Sequence, residues 1–224
     1  MELGYWKIQG LAQPARLLLN YQSKEKFSFR DFTSLDDETN WQAYKKTMDS
    51  AFPNIPYLKT EEHGTIVQSG AVMRYLGKRC ELQGSCTEQI QAEIVDGALQ
   101  DMWTNFMKLM FNKAGYTVEK EATHEKLIVC IAQFSKQLAS RKFMAGDSVT
   151  WIDFKALHCI EILSKFSSKI ADADKIREYC AAVVASGNAD FQAFHKAEKE
   201  SRPVFPPFCA WAGGKIMNDM EAEF

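Results

Sequence analysis

The chain has 224 residues, 46% of them hydrophobic, with 27 basic and 29 acidic side chains and a formal net charge of −2. That is enough apolar material for one large or two small domains without covalent staples. The charge balance, with no block of one sign, argues against nucleic acid or an anionic membrane as a partner. No apolar run approaches the ~20 residues that a membrane span requires, and Leu3-Gly4-Tyr5-Trp6 does not read as a secretory signal.

Six cysteines (Cys80, Cys86, Cys130, Cys159, Cys180, Cys209) include no C-x-x-C pair. They read as reduced thiols in a cytoplasmic protein. His63, His124, His158 and His195 show no ligand spacing with them, so no metal is expected.

The elements follow in order. Residues 3–9 are short, aromatic and β-branched and end at Gly10, which predicts a strand. Pro14 opens a helix through Ala15-Arg16-Leu17-Leu18-Leu19. Residues 27–32 alternate apolar and polar, as a half-buried strand does. Thr33 to Asn40 is polar and reads as a surface loop. The two prolines of Phe52-Pro53-Asn54-Ile55-Pro56-Tyr57-Leu58 preclude a helix there. Tyr57–Lys59 and Thr65–Val67 flank a turn ending in Gly64, so a hairpin is predicted. Ser69 is the expected N-cap of the next helix. The Gly84-Ser85 break marks a linker at 83–87, between domains at 1–82 and 88–224. Beyond it helical periodicity takes over, with helices expected at 88–111, 119–141, 150–164, 172–186 and 190–198. Val149-Thr150-Trp151-Ile152-Asp153-Phe154 is a capping box with a hydrophobic staple, a folding signal for a core helix.

A small βαβ-ββα domain before a larger helical one resembles the cytosolic glutathione transferases, and particular residues bring the resemblance to the mu class. Leu3-Gly4-Tyr5-Trp6-Lys7-Ile8-Gln9-Gly10-Leu11-Ala12 is similar to the mu-class opening. Phe52-Pro53-Asn54-Ile55-Pro56-Tyr57 is similar to that family's Phe-Pro-Asn-Leu-Pro-Tyr. Gln68-Ser69 matches its Gln-Ser, and Phe143-Met144-Ala145-Gly146-Asp147 with Thr150 and Asp153 its core-helix signature. The resemblance implies an α+β/α architecture: an N-terminal thioredoxin-like domain and an all-α bundle. It also implies a homodimeric detoxification enzyme that conjugates reduced glutathione to hydrophobic electrophiles.

The resemblance implies roles for single residues. Tyr5 would donate a hydrogen bond to the glutathione sulfur. A free thiol ionises near ~8.5, so a donor aimed at sulfur supplies the nucleophile. Trp6 and Leu11 would line the peptide, and Trp41 and Lys45 would bind its glycyl end, with Lys46 the rival. Trp41 and Lys45 share a face if their segment is helical. Asn54 and a cis Ile55-Pro56 bond would meet the cysteinyl unit, while Gln68 and Ser69 would hold the γ-glutamyl carboxylate at a helix N-terminus. Asp101 would reach the partner subunit's glutathione, and Phe52 would insert into the partner. The electrophile would sit among Ile8, Leu11, Met107, Phe111, Phe205 and Pro206. Three departures from the mu pattern stand out: Phe111 replaces a tyrosine, Pro206 replaces a hydroxyl residue, and loop 33–40 is short. Two alternatives share the fold. One is a glutathione-dependent isomerase of the prostaglandin synthase kind. The other is a silent ligand-binding or crystallin-like relative, which need not keep the polar tips retained here.

Overall fold

In the computed structural model, residues 1–22, 24–33, 40–206 and 208–211 are described. Four strands, β1 (Glu2–Trp6), β2 (Ser28–Phe32), β3 (Tyr57–Thr60) and β4 (Gly64–Val67), form one sheet in the order β2-β1-β3-β4. β1 and β2 run parallel, with Tyr5 opposite Asp31; β3 is antiparallel to both β1 and β4. A parallel pair needs a crossover, supplied here by α1 (Gln13–Gln22). The short helix α2 (Trp41–Lys45) precedes β3, and α3 (Ser69–Arg79) follows β4. The sheet and these helices make the thioredoxin-like part of the chain.

The rest is helical: α4 (Cys86–Phe111), α5 (Tyr116–Gln137), α6 (Trp151–Phe166), α7 (Ser168–Ala171), α8 (Asp174–Ala185) and α9 (Ala189–Ser201). α6 is buried along most of its length, with its greater exposure confined to Lys155, Glu161 and its last turn. Its start is the capping box read from sequence. Asp153, buried with Thr150, accepts from the Thr150 amide at 2.8 Å, the Met144 amide at 2.9 Å and the Tyr179 hydroxyl at 2.9 Å.

Several boundaries differ from the sequence reading. β1 stops at Trp6 rather than Gln9, because residues 8–10 give their backbone groups to other partners, described below. Gln68, at φ +75°, is the residue before α3, and no side chain caps that helix; Ser69 is therefore its first residue and not its cap. α4 starts at Cys86, since Ser85 and Glu88 form a reciprocal capping box. α5 starts at Tyr116 and gives way to a 3-10 turn at Leu138–Ser140. α7 is an addition: extended backbone at Ser167 interrupts the helical run before α8 begins at Asp174. Trp41 and Lys45 do lie on a helix, capped by Asn40. Most of the loop 33–40 lies outside the described residues.

Candidate active site

Tyr5 is at the C-terminal end of β1, 7% exposed. The chain then turns through Gly10, at φ +42°, into a single 3-10 turn, Gly10–Ala12. This turn folds over the tyrosine, and the Leu11 amide donates to the Tyr5 hydroxyl at 3.2 Å. Burial pushes the hydroxyl pKa up, partly offset by the Leu11 amide and the Arg16 charge. Tyr5 is thus a neutral phenol near pH 7. Its oxygen accepts one hydrogen bond, and its own proton has no acceptor among the described residues.

The turn is held from two sides. Arg16, 1% exposed in α1, donates to the carbonyls of Ile8 (2.8 Å), Gln9 (3.3 Å) and Trp6 (3.2 Å), and pairs with Asp31. Burial lowers its guanidinium pKa to about 10, still far above neutrality. On the other side, the segment after α9 runs alongside. The Gln9 amide donates to Pro203 O at 2.7 Å and the Gly10 amide to Val204 O at 3.3 Å. Gln9 Nε2 reaches the carbonyls of Glu198 and Arg202. Arg202 grips Asp31 with both contacts at 3.1 Å.

A cavity of about 580 Å³ opens beside Tyr5. It brings together Tyr5, Trp6, Ile8, Leu11, Met107, Phe111, Phe205 and Pro206, all named above from the sequence. Sequence reasoning missed Gln100, Trp103, Thr104, Lys108 and Phe208, which also line it. The signal was present for most of these: positions 100, 104, 108 and 111 share one face of α4. Phe111 packs tilted against Phe208, with ring centroids 6.0 Å apart, so the apolar ring that stands where the mu pattern has a tyrosine meets the tail.

The other candidate residues lie off this cavity. Ser69 adjoins Gly10 and Leu11 around a separate cavity of about 20 Å³. Gln68 is exposed at a left-handed φ, a conformation that costs a non-glycine residue about 1–3 kcal/mol and that gathers at ligand sites. The Ile55-Pro56 bond is cis, and the Ile55 amide is taken by Asn54 Oδ1 at 2.9 Å. Trp41 is buried against Phe32, with its ring 5.5 Å away. Lys45 and Lys46 are both exposed, without an ion pair among the described residues. Asp101 is exposed on α4, on the side toward Cys130 of α5. Phe52 is 74% exposed and so does not fold beneath its own hairpin.

A thioredoxin-like sheet thus carries a tyrosine at the end of β1 beside a cavity walled mainly by apolar residues, and comparison with known proteins identifies the class of enzyme. Residues 100–188 match the family model "Glutathione S-transferase, C-terminal domain". Mouse Glutathione S-transferase Mu 1 is 30% identical over 219 residues, covering 95% of this chain and 98% of the relative. Mouse Glutathione S-transferase Mu 7 is 31% identical over 218 residues, covering 94% and 98%. Among solved structures, the glutathione S-transferase Blo t 8 superposes with a TM-score of 0.79 at 20% identity, over 93% of this chain and 98% of the other. The chain belongs to the glutathione S-transferase family and is a transferase resembling its mu class.

Proposed function

We propose that this enzyme binds glutathione beside β1, holds its sulfur as a thiolate with the Tyr5 hydroxyl, and adds it to hydrophobic electrophiles in the 580 Å³ cavity. One observation carries the reading: Tyr5 lines the cavity, its oxygen accepts from the Leu11 amide, and its own proton has no acceptor among the described residues. A hydrogen bond to an anion contributes about 1.5–3 kcal/mol. That corresponds to roughly one to two pKa units, enough to bring a thiol from ~8.5 to near neutrality. Lys45, with Trp41, takes the glycyl end; Asn54, Ile55 and Pro56 meet the cysteinyl backbone. Gln68 and Ser69 present the N-terminus of α3, with its unsatisfied N–H groups, to the γ-glutamyl carboxylate. Residues 1–82 form the glutathione-binding domain and 88–224 the helical one. The enzyme works in the cytoplasm as a homodimer, with the partner subunit's Asp101 completing each site. The exposure of Phe52 and Asp101 supports that arrangement.

Tyr5→Phe tests the reading. Ultraviolet difference titration of bound glutathione should show the thiol pKa rising by one to two units, with glutathione binding retained. An unchanged pKa removes Tyr5 from the mechanism. Turnover of a chloronitroaromatic by the unmodified enzyme separates a transferase from a silent relative.

A further inference from the structure

Charge enters the electrophile cavity at one point. Among the described lining residues, Lys108 alone carries a formal charge; its neighbours are chiefly aromatic and aliphatic. Lys108 is exposed and forms no ion pair with a described residue. One turn earlier on α4, Thr104 lines the same wall. Its oxygen accepts from Gln100 Nε2 at 3.3 Å, which leaves its own O–H proton free to be donated. The cavity wall therefore carries a lysine and a threonine one turn apart on α4, in an otherwise chiefly apolar lining.

A basic residue in the last turn of α4 has an ordinary explanation, since cations there favour the helix dipole. That accounts for the charge and not for its place on the wall of a chiefly apolar cavity. Nor is it needed for glutathione on the reading above. The carboxylates of that peptide fall to Lys45 and the α3 N-terminus, and none of Trp41, Lys45, Asn54, Gln68 or Ser69 lines this cavity.

We propose that the electrophiles this enzyme takes carry a carboxylate on an apolar, unsaturated body, with the body against Trp6, Trp103, Phe111 and Phe205 and the carboxylate at Lys108 and Thr104. The proposal rests on the reading that this cavity holds the electrophile. An aryl vinyl ketone bearing a ring carboxylate fits the chemistry. The thiolate sulfur forms a bond to the β-carbon, and the π pair moves through the α-carbon to the carbonyl oxygen. A solvent proton then settles on the α-carbon, so no leaving group or oxidant is required.

The experiment uses two matched pairs of compounds. One is the vinyl ketone as acid and as methyl ester, for kcat/KM. The other is the saturated, unreactive acid and ester, for calorimetric binding to the glutathione-loaded protein. The unmodified enzyme should favour acid over ester about five- to tenfold in both measurements, a ratio held down by solvent screening at the exposed ammonium. In Lys108→Gln the ratio should fall to near one, and in Lys108→Glu it should invert. An acid-to-ester ratio that is the same in the unmodified enzyme and Lys108→Gln overturns the proposal, even if the variant lowers Tm through the helix end. The two readings fail separately. A Lys108-dependent preference in binding without any turnover defeats the thiolate mechanism and leaves the carboxylate site standing. Turnover of both ketones without a Lys108-dependent preference does the reverse.

Discussion

Replacing Gly10 by Ala should damage fold and chemistry together, whereas the same change at Gly64 should damage the fold alone. Both glycines sit at positive φ, +42° and +64°, where an L side chain costs about 1–2 kcal/mol. At Gly64 nothing lies within 4 Å of an added Cβ, so the backbone cost is the whole effect. At Gly10 the new methyl would lie 2.7 Å from both Oη and Cε1 of Tyr5. The turn cannot retreat, because Arg16, Pro203 and Val204 hold its backbone. The tyrosine ring must yield instead, and its hydroxyl leaves the Leu11 amide. Overpacking of this kind adds about 1–3 kcal/mol. Taking mid-range values, Gly64→Ala costs about 1.5 and Gly10→Ala about 3.5 kcal/mol. For a chain of this size these become roughly 5 °C and 10 °C in Tm. Scanning calorimetry measures the difference, and kcat/KM with a chloronitroaromatic measures the displaced hydroxyl. If Gly10→Ala kept full kcat/KM with no greater loss of Tm than Gly64→Ala, the coupling of turn to tyrosine would be wrong.

Three further outcomes are expected. Burial lowers the His158 pKa to about 4, against an ordinary value near ~6.5. The unfolded chain therefore takes up a proton below ~6.5 that the folded one refuses until about 4. Stability is complete above that window and falls by roughly 3 kcal/mol as the pH drops through it. His158→Gln should flatten this dependence in urea titrations between pH 6.5 and 4 (about the window just given); equal slopes in both proteins would count against it. Asp153→Ala leaves two buried amides and the Tyr179 hydroxyl without their acceptor. It should cost about 3–5 kcal/mol in the same assay, and a loss under about 1 kcal/mol would show that the network relaxes at little cost. Phe52→Ser should barely alter the stability of a single subunit, since the ring is 74% exposed. On the proposed homodimeric arrangement it should loosen the dimer and lower activity with it; sedimentation at low micromolar concentration showing an intact mutant dimer would clear Phe52 of the role.

The strands, the hairpin and the core helices were legible because their signals are local. Alternation places Phe32 inward, and the Thr150/Asp153 spacing starts α6 wherever the rest of the chain lies. Ser69 shows the limit of such signals. A serine before an apolar helix reads as a cap, yet Gln68 takes that place with an unusual backbone and no side-chain bond. Nothing in the sequence announces that a glutamine will adopt positive φ. Arg16 was invisible for a different reason. On a helical pattern it reads as a solvated charge, and its burial depends on carbonyls from the loop after β1 and on Asp31 of β2. Trp6, Phe111 and Phe205 of the site walls were readable by family pattern, but Trp103, Thr104 and Lys108 required the face of α4 to be known.

The link between the loop after β1 and the segment after α9 also orders events in time. Gln9 Nε2 bonds to carbonyls 189 and 193 residues farther along the chain. At about 5–20 residues per second, a ribosome adds that length in roughly 10–40 s. Through this interval the sheet can assemble and Tyr5 can take its strand position. Arg16 and Asp31, however, wait for Arg202, and the amides of Gln9 and Gly10 stay open to water. Phe205 and Pro206, which wall the cavity beside Tyr5, are made later still. A chain stalled before Glu198 would thus present a sheet beside an unfinished chamber, whose last wall comes only when the segment after α9 docks along the loop after β1.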